Sequence, residues 1–123
     1  MTENPIKIEK GTVFICGKAS EIEVAAFQEF ADFEAKLKAK GIKCINMHTI
    51  FDNLDTESFT ISECVNRCAA YLVMCDKVVT LNNWQQCFNA QSLINVARAL
   101  TKTIVHADRF LELIEKESQN VSA

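Results

Sequence analysis

The densest group of side chains able to read a polar ligand lies within DKVVTLNNWQQCFNAQSLINVARAL, the stretch from Asp76 to Leu100. Asn82, Asn83, Gln85, Gln86 and Asn89 each carry a donor and an acceptor, and Trp84, the only tryptophan, offers a flat face for stacking. No charge falls between Leu81 and Gln86, so this segment suits binding a planar polar molecule better than moving protons near pH 7. Two blander roles suit Trp84 equally well: a lid over the start of the next helix, or a contact with a second subunit.

Other chemistry is sparser. CGKAS, around Gly17 and Lys18, leads from an apolar run into a helical pattern, where free amides and the positive helix end can hold an anion. It matches neither a P-loop nor a dinucleotide fingerprint, and a plain turn with a surface lysine explains it as well. His48 and His106 fall near predicted strand ends, where a general base is useful, but neither has an evident acid or nucleophile beside it in sequence. Cys64 and Cys68, one helical turn apart, sit in an otherwise apolar stripe that favours core packing over a soft metal. No metal or cofactor is expected.

These residues need a scaffold, and the pattern supplies one. TVFIC before Gly17 reads as a buried first strand, Ile42–Asn46 as a short second, Val78–Leu81 as a third and Thr103–His106 as a fourth. Between them lie helical patterns. One starts at a capping box, Ser20 to Glu23, and stops at Gly41, with Phe27, Phe30, Ala31, Glu34 and Leu37 on its buried face. Another starts at Thr60 with Glu63 and carries Ile61, Cys64, Val65, Cys68, Ala69, Leu72 and Val73 as its stripe. A third runs from about Cys87 to Leu100, and a last from Asp108 through Glu115. MHTIFDNLDTES, from Met47, reads as a loop with one helical turn. Ile6 and Ile8 alternate with polar neighbours and permit a short edge strand.

Strands alternating with helices predict an α/β three-layer sandwich with a mainly parallel sheet of four to five strands, flavodoxin-like or Rossmann-like. A single domain spans 1–123, with 1–10 and 117–123 irregular. Ligands of such sheets bind beyond the carboxyl ends of the strands, where strand order reverses. That rule gathers Gly17, Lys18, Asn46, His48, Asn82, Asn83, Trp84 and His106 at one edge.

At 123 residues the chain can bury about two-thirds of its unfolded surface without a disulfide. A net charge of −3 argues against general nucleic-acid binding. No run approaches the ~20 apolar residues of a membrane span, and MTENPIKIEK lacks the apolar core of a secretory signal. Six cysteines without a CxxC pair read as reduced. A cytoplasmic protein without a membrane partner is expected.

FICG, a strand ending in Asn46, and RCAAYLVMCDKVVTLNNWQQCFNA together resemble the DUF4406 family, a branch of the nucleoside 2-deoxyribosyltransferase-like superfamily, over about residues 12–106. Cys75, Asp76, Trp84 and Ala90 agree with its Cys-Asp, Gly-Trp and Gly-Ala signature, while Asn83 and Asn89 replace glycines and Cys87 a serine. The resemblance implies a flavodoxin-like fold, homo-oligomers (a homodimer or larger), and a pocket for a nucleoside or nucleotide. It also implies a catalytic glutamate and a sugar-positioning aspartate, which carry over onto Leu93 and Cys68, the latter beside a matching Arg67. Neither residue can do that chemistry, and no Asp or Glu occurs from Cys87 to Leu100.

The expected function is therefore a nucleoside- or nucleotide-binding protein that lacks the family's catalytic carboxylates, with Gly17, Lys18, Asn46, His48, Arg67, Asn82, Asn83, Trp84, Gln86 and Asn89 at the ligand. One alternative is an active N-glycosidase or deoxyribosyltransferase that has recruited another acid, such as Glu57 or Glu63. The other is an oligomeric interaction protein with a closed pocket whose Trp84 and Phe51 face another chain.

Overall fold

The structure, a computed structural model, describes residues 8–18, 24–52 and 60–122. Four strands, β1 (Val13–Cys16), β2 (Cys44–Asn46), β3 (Lys77–Thr80) and β4 (Thr103–His106), form one sheet in the order β2-β1-β3-β4. Every pairing is parallel: Phe14 registers with Ile45 on one side and Val78 on the other, and Val78 with Ile104. The mixed α/β fold with an all-parallel sheet is the flavodoxin-like or Rossmann-like arrangement expected, at four strands among the described residues.

The central strands are the most deeply buried ones. Val13 to Cys16 are all buried, as are Val78 and Val79, because β1 and β3 are covered on both faces. The helices are α1 (Val24–Ala39), α2 (Met47–Asp52), α3 (Ile61–Val73), α4 (Phe88–Ala99) and α5 (Ala107–Ser122), with a 3-10 turn at Trp84–Gln86. Right-handed crossovers put α1 on one face and α3 and α4 on the other. α3 packs on α4, and α5 shares a cleft with α1. Phe30, Phe33 and Leu37 of α1, Leu72 of α3 and Leu93 and Ile94 of α4 fill the two core layers.

Local signals explain most boundaries. Thr60 and Glu63 form a complete capping box at α3, the threonine hydroxyl accepting from the Glu63 amide at 3.2 Å while the Glu63 carboxylate accepts from the Thr60 amide. Gly41, at φ +74°, ends the turn after α1 in the left-handed region. Three expectations change. The loop from Met47 opens as a six-residue helix, because the Asn46 side chain caps it by accepting from the Thr49 amide at 2.7 Å. α5 runs to Ser122 instead of ending near Glu115, so 117–122 are helical; no Gly or Pro occurs there to stop it. Residues 8–10 form no strand. The expected Ser20–Glu23 capping box, Ile6 and Glu57 lie outside the described residues. Among the described residues no helix is long and apolar enough to cross a membrane.

Candidate functional site

β1 sits between β2 and β3, so the chain leaves β1 in one direction and β3 in the other; the crevice between the two exits is the fold's natural ligand position. Gly17 lies on one side of it and Leu81 on the other, in contact. A Cβ on Gly17 would stand 3.0 Å from Leu81 Cβ and 3.2 Å from the Phe30 ring, tighter than most side-chain contacts, so glycine suits the close approach of the two exits.

The amide-rich turn forms the β3 side. Asn83 is left-handed at φ +64°, which accounts for asparagine where the resembled pattern has glycine: it is the side-chain-bearing residue that best tolerates this region. Its geometry swings Trp84 back against the core, where it is half-buried, while Asn82, Asn83, Gln85 and Gln86 stay exposed. The Gln91 side chain, one turn into α4, donates to the Gln85 carbonyl and braces the turn. Asn89 is half-buried at the start of α4.

At the end of β4, His106 Nε2 meets Asn82 Oδ1 at 3.1 Å, and His106 Nδ1 accepts from the Asp108 amide at 3.3 Å. The first contact is met by a ring that carries a proton on Nε2 and donates it to the amide oxygen, and the Asp108 carboxylate stands 3.8 Å from Nδ1. His106 therefore orients Asn82 and is itself held by the Asp108 amide and carboxylate.

Asn82 and Leu81 also form one wall of a cleft of about 450 Å³ between α1 and α5. Phe33 and Leu111 line its apolar part, and Gln28, Glu29, Asp32, Lys36 and Asp108 its polar part. Gln28 Nε2 donates to Asp32 Oδ1 at 2.8 Å. Nothing in the turn motif pointed to this cleft.

The other expected site residues divide. Asn46 is buried and committed at both ends of its amide: Nδ2 donates to Glu34 Oε1 at 3.0 Å while Oδ1 caps α2. The sequence signal for this was Glu34 itself, a carboxylate within the buried stripe of α1. His48 lies on α2 with its ring 4.4 Å from that of Phe27, which is exposed; this aromatic pair on the β2 side was not foreseen. Lys18 and Arg67 are half-buried, Lys18 just past Gly17 and Arg67 on the middle of α3. Phe51 packs against Cys64. Leu93 and Cys68 are both fully buried in the core and neither opens on the crevice, so the register that set them in catalytic positions places them too deep. The α4 residues that do reach the surface near the turn are Phe88, Gln91 and Asn95, with Asn89 and Ser92 half-buried, and none is acidic.

The cysteines are all free. Cys16 Sγ donates to the Ala90 carbonyl at 3.7 Å, and burial pushes the Cys16 and Cys68 thiols far above their ordinary range, which removes them as nucleophiles. Among the described residues no cluster of three or more His, Cys, Asp or Glu could hold a metal ion.

Residues 11–106, more than three-quarters of the chain, match the model of a Domain of unknown function (DUF4406). The chain belongs to the DUF4406 family. Its match takes in all four strands and ends at His106, so the DUF4406 domain includes both exits of the crevice, while the α5 wall of the cleft lies beyond it. Among curated proteins none matches the chain.

Proposed function

We propose that this protein binds a nucleoside or nucleotide-like ligand in the crevice between the β1 and β3 exits and does not turn it over. The observation that carries this reading is the turn 82–86, four neutral amides and one tryptophan beside an α4 without any carboxylate. Amides can read the edge of a base or sugar hydroxyls, and stacking on Trp84 is tolerant of which base it is. The likeness of the Cys75-Asp76 and Trp84 signature to the nucleoside 2-deoxyribosyltransferase-like superfamily supports the ligand class. On this reading the protein is cytoplasmic, needs no cofactor, membrane or general nucleic-acid partner, and works as a homodimer or larger homo-oligomer.

A second reading, an active N-glycosidase or deoxyribosyltransferase, draws on the carboxylates of Glu29, Asp32 and Asp108 around the adjoining cleft. Glu63, the earlier candidate acid, is engaged in capping α3.

A thermal-shift screen against nucleosides, nucleotides and sugar phosphates tests the first reading, because binding stabilises the folded state whether or not chemistry follows. A nucleoside or nucleotide should raise the midpoint, quench Trp84 fluorescence, and bind about tenfold or more weakly to Trp84→Ala. No shift with any of them would defeat the binding reading. Release of free base from a deoxynucleoside or its monophosphate would replace it with the second.

A further inference from the structure

The charges of α1 and α5 fall into two sets. Away from the cleft between these helices they are paired: Lys38 with Glu34 at 3.3 Å, Lys40 with Glu115 at 3.1 Å and Arg109 with Glu112 at 3.0 Å. The three carboxylates that line the cleft are left over. Among the described residues, neither Glu29 nor Asp32 is ion-paired; Asp32 accepts from the Gln28 amide at 2.8 Å, and the Asp108 carboxylate meets the His106 ring at 3.8 Å. Helix periodicity sets their places. Glu29, Asp32, Phe33 and Lys36 are spaced i, i+3, i+4, i+7 on α1, and Asp108 and Leu111 are spaced i, i+3 on α5. α1 follows β1, and α5 begins directly after β4, so the first turns of both stand at the crevice end of the sheet. Glu29 and Asp108 lie toward that end, and Lys36 lies roughly 10 Å further along α1. Between them the floor is apolar: Phe33 and Leu81 are buried and Leu111 is half-buried.

We propose that this cleft binds a small organic ammonium ion, one protonated amine on an apolar body, with the ammonium among Glu29, Asp32 and Asp108 and the body over Phe33 and Leu111. Its volume of about 450 Å³ is within the ~300–1,000 Å³ of small-molecule sites. Three carboxylates against one lysine give the lining a surplus of negative charge, which attracts a cation and turns away an anion such as phosphate. An ammonium has three N–H donors to place on those oxygens. The half-buried Glu29 beside the Phe33 ring acts through less water than a fully exposed carboxylate, which strengthens the attraction. The apolar floor gives no oxygen to an inorganic cation, and among the described residues no group of His, Cys, Asp and Glu could hold a metal ion. Lys36 selects further. Its charge faces the far end of any extended occupant, so a second ammonium there is repelled and a single charge is preferred. Asn82 lines the cleft, but the Trp84 turn and the Gly17 loop do not, so this site is separate from the crevice between the β1 and β3 exits.

Titration of the full, 15N-labelled chain at constant ionic strength, followed by amide chemical shifts, tests the proposal with no nucleoside or nucleotide present. Hexylammonium chloride should shift amides of α1 around Glu29 to Lys36 and of α5 around Asp108 to Leu111, with a Kd on the order of 1 mM. Methylammonium, which lacks the apolar body, and hexan-1-ol, which lacks the charge, should each bind about tenfold more weakly. Hexane-1,6-diammonium should bind about threefold more weakly than hexylammonium, and Lys36→Gln should remove that difference. The double variant Glu29→Gln, Asp32→Asn should weaken hexylammonium binding about tenfold, while Glu117→Gln, the same loss of charge at an exposed position of α5 off the cleft, should leave it unchanged. The amide spectrum of each variant reports its fold, and the ligand series on the wild type decides without any variant. Hexylammonium that binds no better than methylammonium, or no better than hexan-1-ol, overturns the proposal. So do a double variant as tight as the wild type, an equal loss in Glu117→Gln, and a diammonium that outbinds hexylammonium.

Discussion

Asn82 and His106 are joined side chain to side chain at 3.1 Å, although 24 residues separate them, and this bond ties the exit of β3 to the end of β4. Its net value is that of one neutral, exposed hydrogen bond, about 1 kcal/mol. His106→Ala and Asn82→Ala should each lower the urea midpoint accordingly, and the double variant should lose little more than either single one. Additive losses would show that the pair does not act as a unit.

Asn83 at φ +64° sets a test of backbone conformation. Asn83→Gly should be neutral or slightly stabilising, whereas Asn83→Val should cost about 1–2 kcal/mol, since a β-branched residue strains the left-handed region. If both substitutions behave alike in chemical denaturation, the turn does not require this geometry.

Leu93 distinguishes core from site. Leu93→Glu places a charge within a fully buried position and should unfold the protein or leave it molten, not confer glycosidase activity. Ser92→Glu, half-buried one residue earlier, should fold. Near-UV circular dichroism of the two variants makes the comparison, and a well-folded Leu93→Glu would show that this side chain reaches solvent.

The thiols predict an alkaline weakness. Burial pushes Cys44 up to about 11 from the ordinary 9.0, with Glu34 adding to it and Lys38 opposing it, and burial likewise pushes Cys75 up to about 11. A raised thiol keeps its proton in the folded state while the unfolded chain has already released it. Stability is therefore fully present below about pH 9 and falls as pH rises from 9 toward 11. Cys44→Ser and Cys75→Ser should flatten that fall in pH-dependent urea unfolding; unchanged slopes in both would exclude these thiols as its source.

How legible was all this in the sequence? β1 and β4 emerged nearly residue for residue, because short β-branched runs between turns have few other readings. The α3 capping box was legible because its partners are three residues apart. What escaped were relations made across the fold. The link from Asn46 to Glu34 spans 12 residues and makes one of the expected ligand residues a structural clamp. The depth of Leu93 depends on the rotation of α4, which a continuous apolar stripe leaves open to within a residue. The α1–α5 cleft and the Phe27–His48 pair belong to surfaces whose neighbours are fixed only by topology, and α5 continued because nothing in its tail forbids a helix.

The position of β1 in the sheet also bears on how the chain is made. Val13 pairs with Lys77, 64 residues later, so at ~5–20 residues per second the ribosome takes about 3–13 s to deliver the strand that closes that side of β1. Until then an apolar strand is paired at most on its β2 edge. Nascent chains stalled before residue 77 should therefore be the aggregation-prone species, and the arrival of β3 is the event that commits the domain to fold.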